Sequence, residues 1–267
     1  TTAQGSLATN DLTTFRYNVE GFDVQRFKKG TSDAQQFTLS FFVKSVDQSS
    51  YPVTYIVELR DPINARSCCK SYTVTASDTW EYKTLTFPAD TTGTWAASNT
   101  KALEINWFVA AGSNYTSGTL STSWASTVTA NRAAGLTANL SANTANRFYL
   151  TGVQLEVGSV ATDFEHKTFG QELALCQRYF YKIVADGTSK VRWFHLLNNT
   201  EHYRKLNVDF PTIMRTSCTV SNISFINSAS QSCTAQYSCE DHVTFQSAVN
   251  SNTAYAGLYG ADFSAEL

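Results

Sequence analysis

Residues 149 to 181 read YLTGVQLEVGSVATDFEHKTFGQELALCQRYFY, and this stretch connects a strand to a helix through a polar loop. The strand begins slightly earlier, so that residues 147–157 read RFYLTGVQLEV. Apolar and polar side chains alternate along this segment, which is typical of a strand with one buried face. Gly152 interrupts the alternation, and we therefore predict a β-bulge there. The apolar set is Phe148, Leu150, Val153 and Leu155.

The second part of the quoted stretch predicts a short helix. Thr168 is followed three residues later by Gln171, which is the spacing of a capping box. Apolar residues then recur at helical spacing, so we predict a helix over residues 169–181. The recurring residues are Leu173, Cys176 and Phe180.

Segments on both sides of this joint have the period-two pattern of strands and are separated by turn signals. Upstream they lie at 13–22, 36–46, 53–59, 71–74, 80–87 and 102–110. Downstream they lie at 190–197, 204–210, 217–225, 241–245 and 255–263. We therefore predict an all-β chain, because starts spaced by roughly ten residues are typical of antiparallel sandwiches. Residues 1–166 are predicted to form a jelly-roll β-sandwich, and residues 167–267 a short linker helix followed by a smaller antiparallel β-sandwich domain.

The composition favours strands and disfavours two classes of partner. The chain contains 35 Thr and 28 Ser, 13% aromatic residues and only 16% charged residues. Thr and aromatic side chains fit a pleated, half-buried surface. The net charge of −2 and the lack of basic runs argue against nucleic-acid binding. No apolar run approaches the roughly 20 residues that would cross a bilayer, so no membrane insertion is expected.

The six cysteines do not predict a metal site, because none forms a Cys-x-x-Cys pair. One hypothesis is a disulfide among Cys218, Cys233 and Cys239. We favour the alternative hypothesis, that the thiols are free and buried. The chain opens with TTAQGSLATND, which is typical of sequence from the interior of a longer protein. We therefore expect an upstream part.

The chain has no nucleophile elbow, P-loop, dinucleotide fingerprint or zinc-protease motif. Hydrolysis of a glycoside would require two carboxylates flanking one bond. Carboxylates are scattered, and the sequence brings no two of them together, so we predict a non-enzymatic protein. A structural Ca²⁺ held by loop carboxylates and carbonyls is compatible with such a fold. The carboxylates considered are Asp61, Asp78, Asp90, Glu104, Glu156, Asp163 and Glu165.

Three aromatic residues stand in polar loops and are candidate glycan-binding residues: Trp95, Tyr115 and Trp124. Sugar binding requires an exposed ring that stacks on C–H faces, with amides, hydroxyls or carboxylates nearby. Tyr115 and Trp124 belong to a Ser/Thr/Asn/Ala-rich span over 111–146, and loops of that length are often functional. The alternative is that each ring folds back onto an edge of the core.

The remaining tryptophans are assigned to packing. Trp193 and His195 share one face of the predicted strand at 190–197 and are candidate residues of an oligomer interface. Trp80 and Trp107 are predicted to lie in the core.

Segments across nearly the whole chain recur in one known family in the same order and spacing. They are the quoted stretch, the opening segment, LSFFVKS at 39–45, WEYKTLT at 80–86, GTW at 93–95, MRTS at 214–217 and AEL at 265–267. Together they resemble the distal C-terminal region of bacteriophage tail-fibre and related tail proteins, with the quoted stretch the most specific part. Asp163 and Cys218 depart from the family pattern, in which proline often stands.

The resemblance implies a jelly-roll domain like those of carbohydrate-binding modules, followed by a smaller β domain. It also implies a homotrimer in the virion tail fibre, assembled in the bacterial host cytoplasm. The implied partners are the upstream part of the same fibre, other tail proteins and a host-surface polysaccharide or lipopolysaccharide. It supplies no catalytic residues.

Three functions remain open from the sequence. The first is a non-enzymatic receptor-binding tip that attaches to a host-surface glycan and gains avidity from several copies. The second is a structural trimerising, docking or decoration module without glycan binding. The third, which we rank last, is a depolymerase of the host polysaccharide.

Overall fold

The computed structural model describes residues 2–46, 51–183, 192–193, 203–227, 233–248 and 256–266. The chain divides into two compact units, Thr1–Glu165 and His166–Leu267, one residue before the predicted boundary. Both units are built mostly of strands, and every described strand pair is antiparallel. The all-β prediction is therefore confirmed.

Within its described residues, the first unit forms two sheets. Its strands are β1 (Leu12–Glu20), β2 (Phe37–Val46), β3 (Val53–Asp61), β4 (Arg66–Val74), β5 (Glu81–Phe87), β6 (Lys101–Ala111), β7 (Ala125–Ser126) and β8 (Arg147–Val157). One sheet has the order β1-β6-β3-β4-β7, and the other has the order β5-β2-β8. The two sheets face each other across a common apolar core.

The alternation in β2 decides which side of the smaller sheet is buried. On one face of β2, apolar side chains at alternate positions are fully buried and pack against residues of the larger sheet, such as Tyr72 and Trp107. Burying one such side chain stabilises the fold by about 1.5–3 kcal/mol. The predicted core position of Trp107 is confirmed, since it is 2% exposed. The buried residues of β2 are Phe37, Leu39, Phe41 and Val43.

Gly152 forms the predicted bulge in β8. Ser40 of β2 pairs with Gln154 and Phe42 pairs with Thr151, so two residues of β8 oppose one residue of β2. Gly152 has φ +59°, in the left-handed region that glycine adopts most easily. The bulge keeps the apolar residues on both sides of it facing the core.

The span over 111–146 lies against the outer face of the larger sheet. It carries the helix α2 (Ser113–Thr116) and two 3₁₀ turns, Thr129–Asn131 and Leu140–Ala142. Ala133 in this span is fully buried together with sheet residues. Much of the span is therefore a packed cover, because the sheet is apolar on this side as well. A further short helix, α1 (Gly21–Val24), precedes the 3₁₀ turn Gln25–Phe27. The buried sheet residues under the span are Ile56, Cys69 and Phe108.

The second unit begins with the helix α3 (Phe169–Gln177). Its predicted capping box is confirmed, with the Thr168 side chain accepting from Gln171 and the Gln171 side chain accepting from Thr168. The helix is shorter than the predicted 169–181. The backbone of Tyr179 instead accepts a hydrogen bond from Ala265 N, and the chain enters a strand. Sheet pairing therefore ends the helix four residues early.

The described residues of the second unit also form two antiparallel sheets. Its strands are β9 (Phe180–Ile183), β10 (Arg192–Trp193), β11 (Tyr203–Asp209), β12 (Thr219–Asn227), β13 (Cys233–Ser238), β14 (His242–Ala248) and β15 (Ala256–Ser264). One sheet has the order β10-β15-β12 with β9 also on β15, and the other has the order β11-β14-β13. Phe245 and Phe263, one from each sheet, pack edge to face in the core of this unit.

The side chain of Cys233 lies outside the described residues. The other five cysteines, Cys68, Cys69, Cys176, Cys218 and Cys239, are free, and three of them are buried: Cys68, Cys69 and Cys218. Burial raises the pKa of the Cys68 thiol to about 12, so it behaves as a small apolar side chain. The prediction of buried free thiols is confirmed for these three. It is wrong for Cys176, which is exposed on α3.

Candidate functional site

Trp95 and Trp124 lie in the core of the first unit, at one end of the space between its sheets. They are only 6% and 9% exposed, and each ring centroid is 6.1 Å from that of Phe37. The Trp124 indole donates a hydrogen bond to the carbonyl of Pro88, 2.9 Å away. Neither indole is therefore exposed in the way expected of a ring that stacks on a sugar. Burying a large indole outweighs the polar character of its neighbours in sequence.

The two indole rings enclose the ammonium of Lys29. Its Nζ lies 5.2 Å from the centroid of Trp95 and 5.5 Å from that of Trp124. These are cation–π distances. The loop tryptophans thus wall in a buried charge instead of facing solvent.

Oxygen atoms complete the surroundings of this ammonium. Lys29 donates to the Asp61 carboxylate at 2.7 Å and to the carbonyls of Thr92 and Gly93 at 2.7 and 2.8 Å, and pairs with Asp90 at 3.1 Å. Carboxylates and backbone carbonyls are also the ligands that Ca²⁺ prefers. The structural Ca²⁺ stays a prediction, but at this oxygen cluster a lysine ammonium takes the central position.

Asp90 is further held by Arg66, whose guanidinium donates to both carboxylate oxygens at 2.8 Å. Burial acts to raise the pKa of Asp90, but Arg66 and Lys29 outweigh it and lower the pKa below its usual range. Two of the carboxylates considered from the sequence, Asp61 and Asp90, are therefore neutralised by buried cations.

Tyr115 lies elsewhere in the unit and is half-buried in the cover of the larger sheet. The guanidinium carbon of Arg132 is 6.0 Å from its ring centroid and 5.5 Å from that of Phe108. Arg132 also pairs with the buried Glu58 through two hydrogen bonds of 2.7 and 2.8 Å. The three aromatic residues proposed from the sequence consequently do not share one face.

The candidate interface residues of the second unit fall largely beyond the described regions. The backbone of Trp193 pairs with Gly257, but its side chain lies outside the described residues. His195 lies outside them entirely. Their assignment to an interface stays a prediction.

A different group of aromatic residues is exposed together on the outer face of the β5-β2-β8 sheet. Phe42 is 40% exposed, Trp80 47%, Tyr82 48% and Tyr149 41%. We call these four residues the aromatic face. The predicted core position of Trp80 is wrong, since it stands just before β5 and points to solvent.

Strand register brings the four rings into neighbouring pairs. Phe42 pairs with Tyr82 across β2 and β5, with ring centroids 4.9 Å apart. Trp80 and Tyr149 meet at 6.3 Å. Lys44, two residues along β2 from Phe42, pairs with Tyr149 across β2 and β8. The two pairs are therefore adjacent on one sheet surface.

Lys44 and Asp78 add a charged pair to the aromatic face. The Lys44 ammonium lies 4.7 Å from the Tyr149 centroid and 5.7 Å from that of Trp80. It donates to the Asp78 carboxylate at 2.7 Å. This hydrogen bond raises the pKa of Lys44, so the lysine stays charged over the rings. The surface thus combines apolar rings with a donor and an acceptor.

The turn that carries Trp80 and Asp78 is held by Glu81. Its carboxylate accepts hydrogen bonds from Thr75 N and Oγ1 and from Ala76 N. Burial acts to raise the pKa of Glu81, but Lys83 and these donors lower it to about 2. The aromatic face is therefore built on a fixed turn and three paired strands.

Gly152 leaves room for one ring of this face. A Cβ at this position would lie 3.1 Å from Cδ2 of Phe42, which is tighter than ordinary contact. The bulge that sets the strand register therefore also makes room for the ring of Phe42.

The sequence contains a signal for the aromatic face. Phe42 and Tyr82 occupy alternate positions of their strands that face away from the buried side of the sheet. Aromatic residues in that phase are candidates for exposure.

A second, smaller feature lies beside Trp95. It is an open depression of about 400 Å³, within the size range of ligand pockets. Trp95 is among its lining residues although it is almost fully buried. The lining residues are Val24, Gln25, Lys28, Lys29, Thr31, Asp33, Thr94 and Trp95.

No helix within the described regions combines the length and apolar content required to span a bilayer. Comparisons of the chain with protein-family models, with curated proteins and with solved structures find no match.

Proposed function

We propose that the protein is a non-enzymatic receptor-binding module at the tip of a bacteriophage tail fibre, where it attaches the virion to a host-surface glycan. The placement in a tail fibre rests on the sequence resemblance described above. The glycan as ligand rests on the aromatic face.

Four exposed rings on one sheet surface carry this proposal. Single exposed apolar residues are normal on proteins, whereas a contiguous patch points to a binding surface. Aromatic rings stack on the C–H faces of sugars, and Lys44 and Asp78 supply a donor and an acceptor for sugar hydroxyls. Because the two charges pair with each other, the face suits neutral sugar units within a polysaccharide or lipopolysaccharide.

The same proposal includes a jelly-roll topology for the first unit and a homotrimeric assembly. Two facing antiparallel sheets support the former. A flat surface with few polar groups would bind a sugar weakly, and three copies on one fibre would convert weak sites into firm attachment.

Binding to an array of bacterial surface polysaccharides tests the proposal. The double variant Trp80→Ala, Tyr149→Ala removes two rings without touching the core, and we expect its binding to fall at least about tenfold, since each ring contributes roughly 1 kcal/mol. Phe22→Ala is the control, because Phe22 is 57% exposed in the same unit but outside the aromatic face. Equal binding by the double variant and the control would refute the role of the aromatic face.

The non-enzymatic part of the proposal has its own test. Incubation of the protein with a polysaccharide that it binds is expected to release no new reducing ends. Their appearance would instead identify a depolymerase.

One observation favours the structural alternative, a module that only trimerises. Apolar residues of α3 are exposed, including Phe169 at 82% and Leu173 at 42%. Oligomerisation through α3 together with no adsorption to any polysaccharide would support this alternative over glycan binding.

A further inference from the structure

The hairpin between β13 and β14 brings together three side chains of different chemistry. Cys239 and His242 flank the turn, and Asp241 lies within it. One potential ligand atom from each residue lies within 4.8 Å of the other two. A thiol sulfur, an imidazole nitrogen and a carboxylate oxygen therefore converge within four consecutive residues.

The backbone fixes this turn independently of the three side chains. Cys239 N donates to the carbonyl of His242 at 2.9 Å and closes the hairpin. Phe210 N donates to the carbonyl of Asp241 at 2.8 Å, and Met214 N to that of Glu240 at 2.7 Å. Because the turn is tied on two sides, the ligand atoms are largely preorganised, which lowers the cost of ordering them on binding.

We propose that Cys239, Asp241 and His242 bind a divalent transition-metal ion of the zinc class. Sulfur, imidazole and carboxylate ligands bind zinc at about 2.0–2.3 Å, so ligand atoms around a tetrahedral ion lie roughly 3.3–3.8 Å apart. His242 Nδ1 and Asp241 Oδ1 are 2.8 Å apart in a hydrogen bond and need to separate by only about 0.5 Å to reach that range. Water takes the fourth position.

The ligand set discriminates between classes of ion. Ca²⁺ and Mg²⁺ require several oxygen ligands, whereas this site offers one carboxylate. A thiolate and an imidazole favour zinc and its neighbours in the first transition series. On binding, the metal–sulfur bond replaces the S–H bond of Cys239, and the thiol proton passes to solvent.

The site is accessible and differs from the other cysteines. Asp241 is exposed, and Cys239 and His242 are half-buried, so an ion can enter from solvent. Cys218 lies nearby through Ser238, whose hydroxyl is 3.2 Å from its sulfur. Cys218 is buried and engaged with that hydroxyl, so we do not count it among the ligands.

Titration of the full chain with Co²⁺ and Zn²⁺ tests the proposal, using tag-free protein under reducing conditions. We expect one ion per chain, with a thiolate-to-cobalt charge-transfer band in the near ultraviolet. Cys239→Ser should abolish the band, and Cys239→Ser and His242→Gln should each weaken Zn²⁺ binding at least about tenfold, as expected when one ligand is lost. Cys176→Ser is the thiol control, because Cys176 is exposed on α3 of the same unit and is the sulfur most open to competing for the ion.

Three results would overturn the proposal. The first is the absence of stoichiometric binding by the wild-type chain, the second is a cobalt band that persists in Cys239→Ser, and the third is loss of the band in Cys176→Ser. Thermal unfolding of each variant checks that the hairpin is intact, and His242→Gln decides the question if Cys239→Ser is unfolded.

Discussion

The ammonium of Lys29 lies 2.7 Å from the carboxylate of Asp61, and neither side chain is exposed to solvent. A buried charge is tolerated only when its partners are complete. Here Asp61 also accepts hydrogen bonds from the backbone N–H groups of Ile63 and Asn64. The pair therefore ties the segment after α1 to the turn after β3 at one end of the first unit.

Replacing Lys29 with Met should destabilise the protein strongly. Met preserves much of the apolar stem but leaves the carboxylates of Asp61 and Asp90 without their shared cation. We expect a loss of about 3–5 kcal/mol, the usual result of breaking a buried pair from one side. Urea unfolding measures the loss directly. A melting temperature lower by roughly 10 °C is expected for a domain of this size.

The oxygen cluster gives this prediction a second readout. In Lys29→Ala, which opens space beside two carboxylates and two carbonyls, added Ca²⁺ should raise the melting temperature more than in the wild-type protein. Lys28→Ala is the control, because Lys28 is exposed beside Lys29 and should cost under about 0.5 kcal/mol. Equal stability of Lys29→Met and Lys28→Ala would contradict the structural role of the buried pair.

Gly152→Ala should weaken glycan binding as well as the fold. A side chain at φ +59° is strained by about 1–3 kcal/mol, and its Cβ would press on Phe42 at 3.1 Å. Displacing that ring disturbs the aromatic face. Binding to the polysaccharide array and thermal unfolding should therefore both decline.

Gly135→Ala separates these two effects. Gly135 has φ +87°, but a Cβ there meets no atom within 4 Å. It should cost stability by backbone strain and leave binding unchanged. Loss of binding in both variants to the same degree would show that Phe42 is not involved.

The sequence was sufficient where local rules dominate. The alternation of β2, the bulge at Gly152 and the capping box at Thr168 all depend on spacing within a few residues. Local spacing places the end of α3 too late, because that end depends on pairing with β15, some 80 residues away in the chain.

The candidate site was harder to predict because it depends on burial, which is set by distant contacts. Trp95 and Trp124 lie in polar segments of the sequence, yet they enclose the ammonium of Lys29 in the core. The pattern around Trp80 predicts a core position, yet Trp80 is exposed beside Tyr149, which lies on a strand about 70 residues later. Local periodicity predicts neither the Lys29 ammonium between the two indoles nor the pairing with the strand that carries Tyr149.

Glu81 should make the stability of the first unit depend on pH under acidic conditions. Its pKa falls from 4.5 to about 2 in the folded protein, so the unfolded chain takes up the proton first as pH falls. The stabilisation by the ionised carboxylate is therefore complete above about pH 4.5 and is lost progressively toward pH 2. Melting temperatures measured across this range should fall less steeply in Glu81→Gln than in the wild-type protein. Parallel curves for the two proteins would show that Glu81 does not contribute.

The exposed apolar residues of α3 predict an interface between copies of the chain. Phe169, Leu173 and Cys176 follow one another at intervals of four and three residues, which is the spacing of a coiled-coil seam. All three are exposed in the single chain. If three copies associate through this seam, Leu173→Asp should place a charge in the interface and convert the trimer to monomers in light scattering.

Leu175→Asp is the matched control, because Leu175 is 50% exposed on the same helix but falls outside the seam. It should leave the oligomer intact. Mild oxidation should also link copies through Cys176, since a thiol at a seam position meets its counterpart in a neighbouring chain, and a non-reducing gel would show the linked species. A wild-type protein that stays monomeric at all concentrations, or equal dissociation by Leu173→Asp and Leu175→Asp, would rule out this seam as the interface.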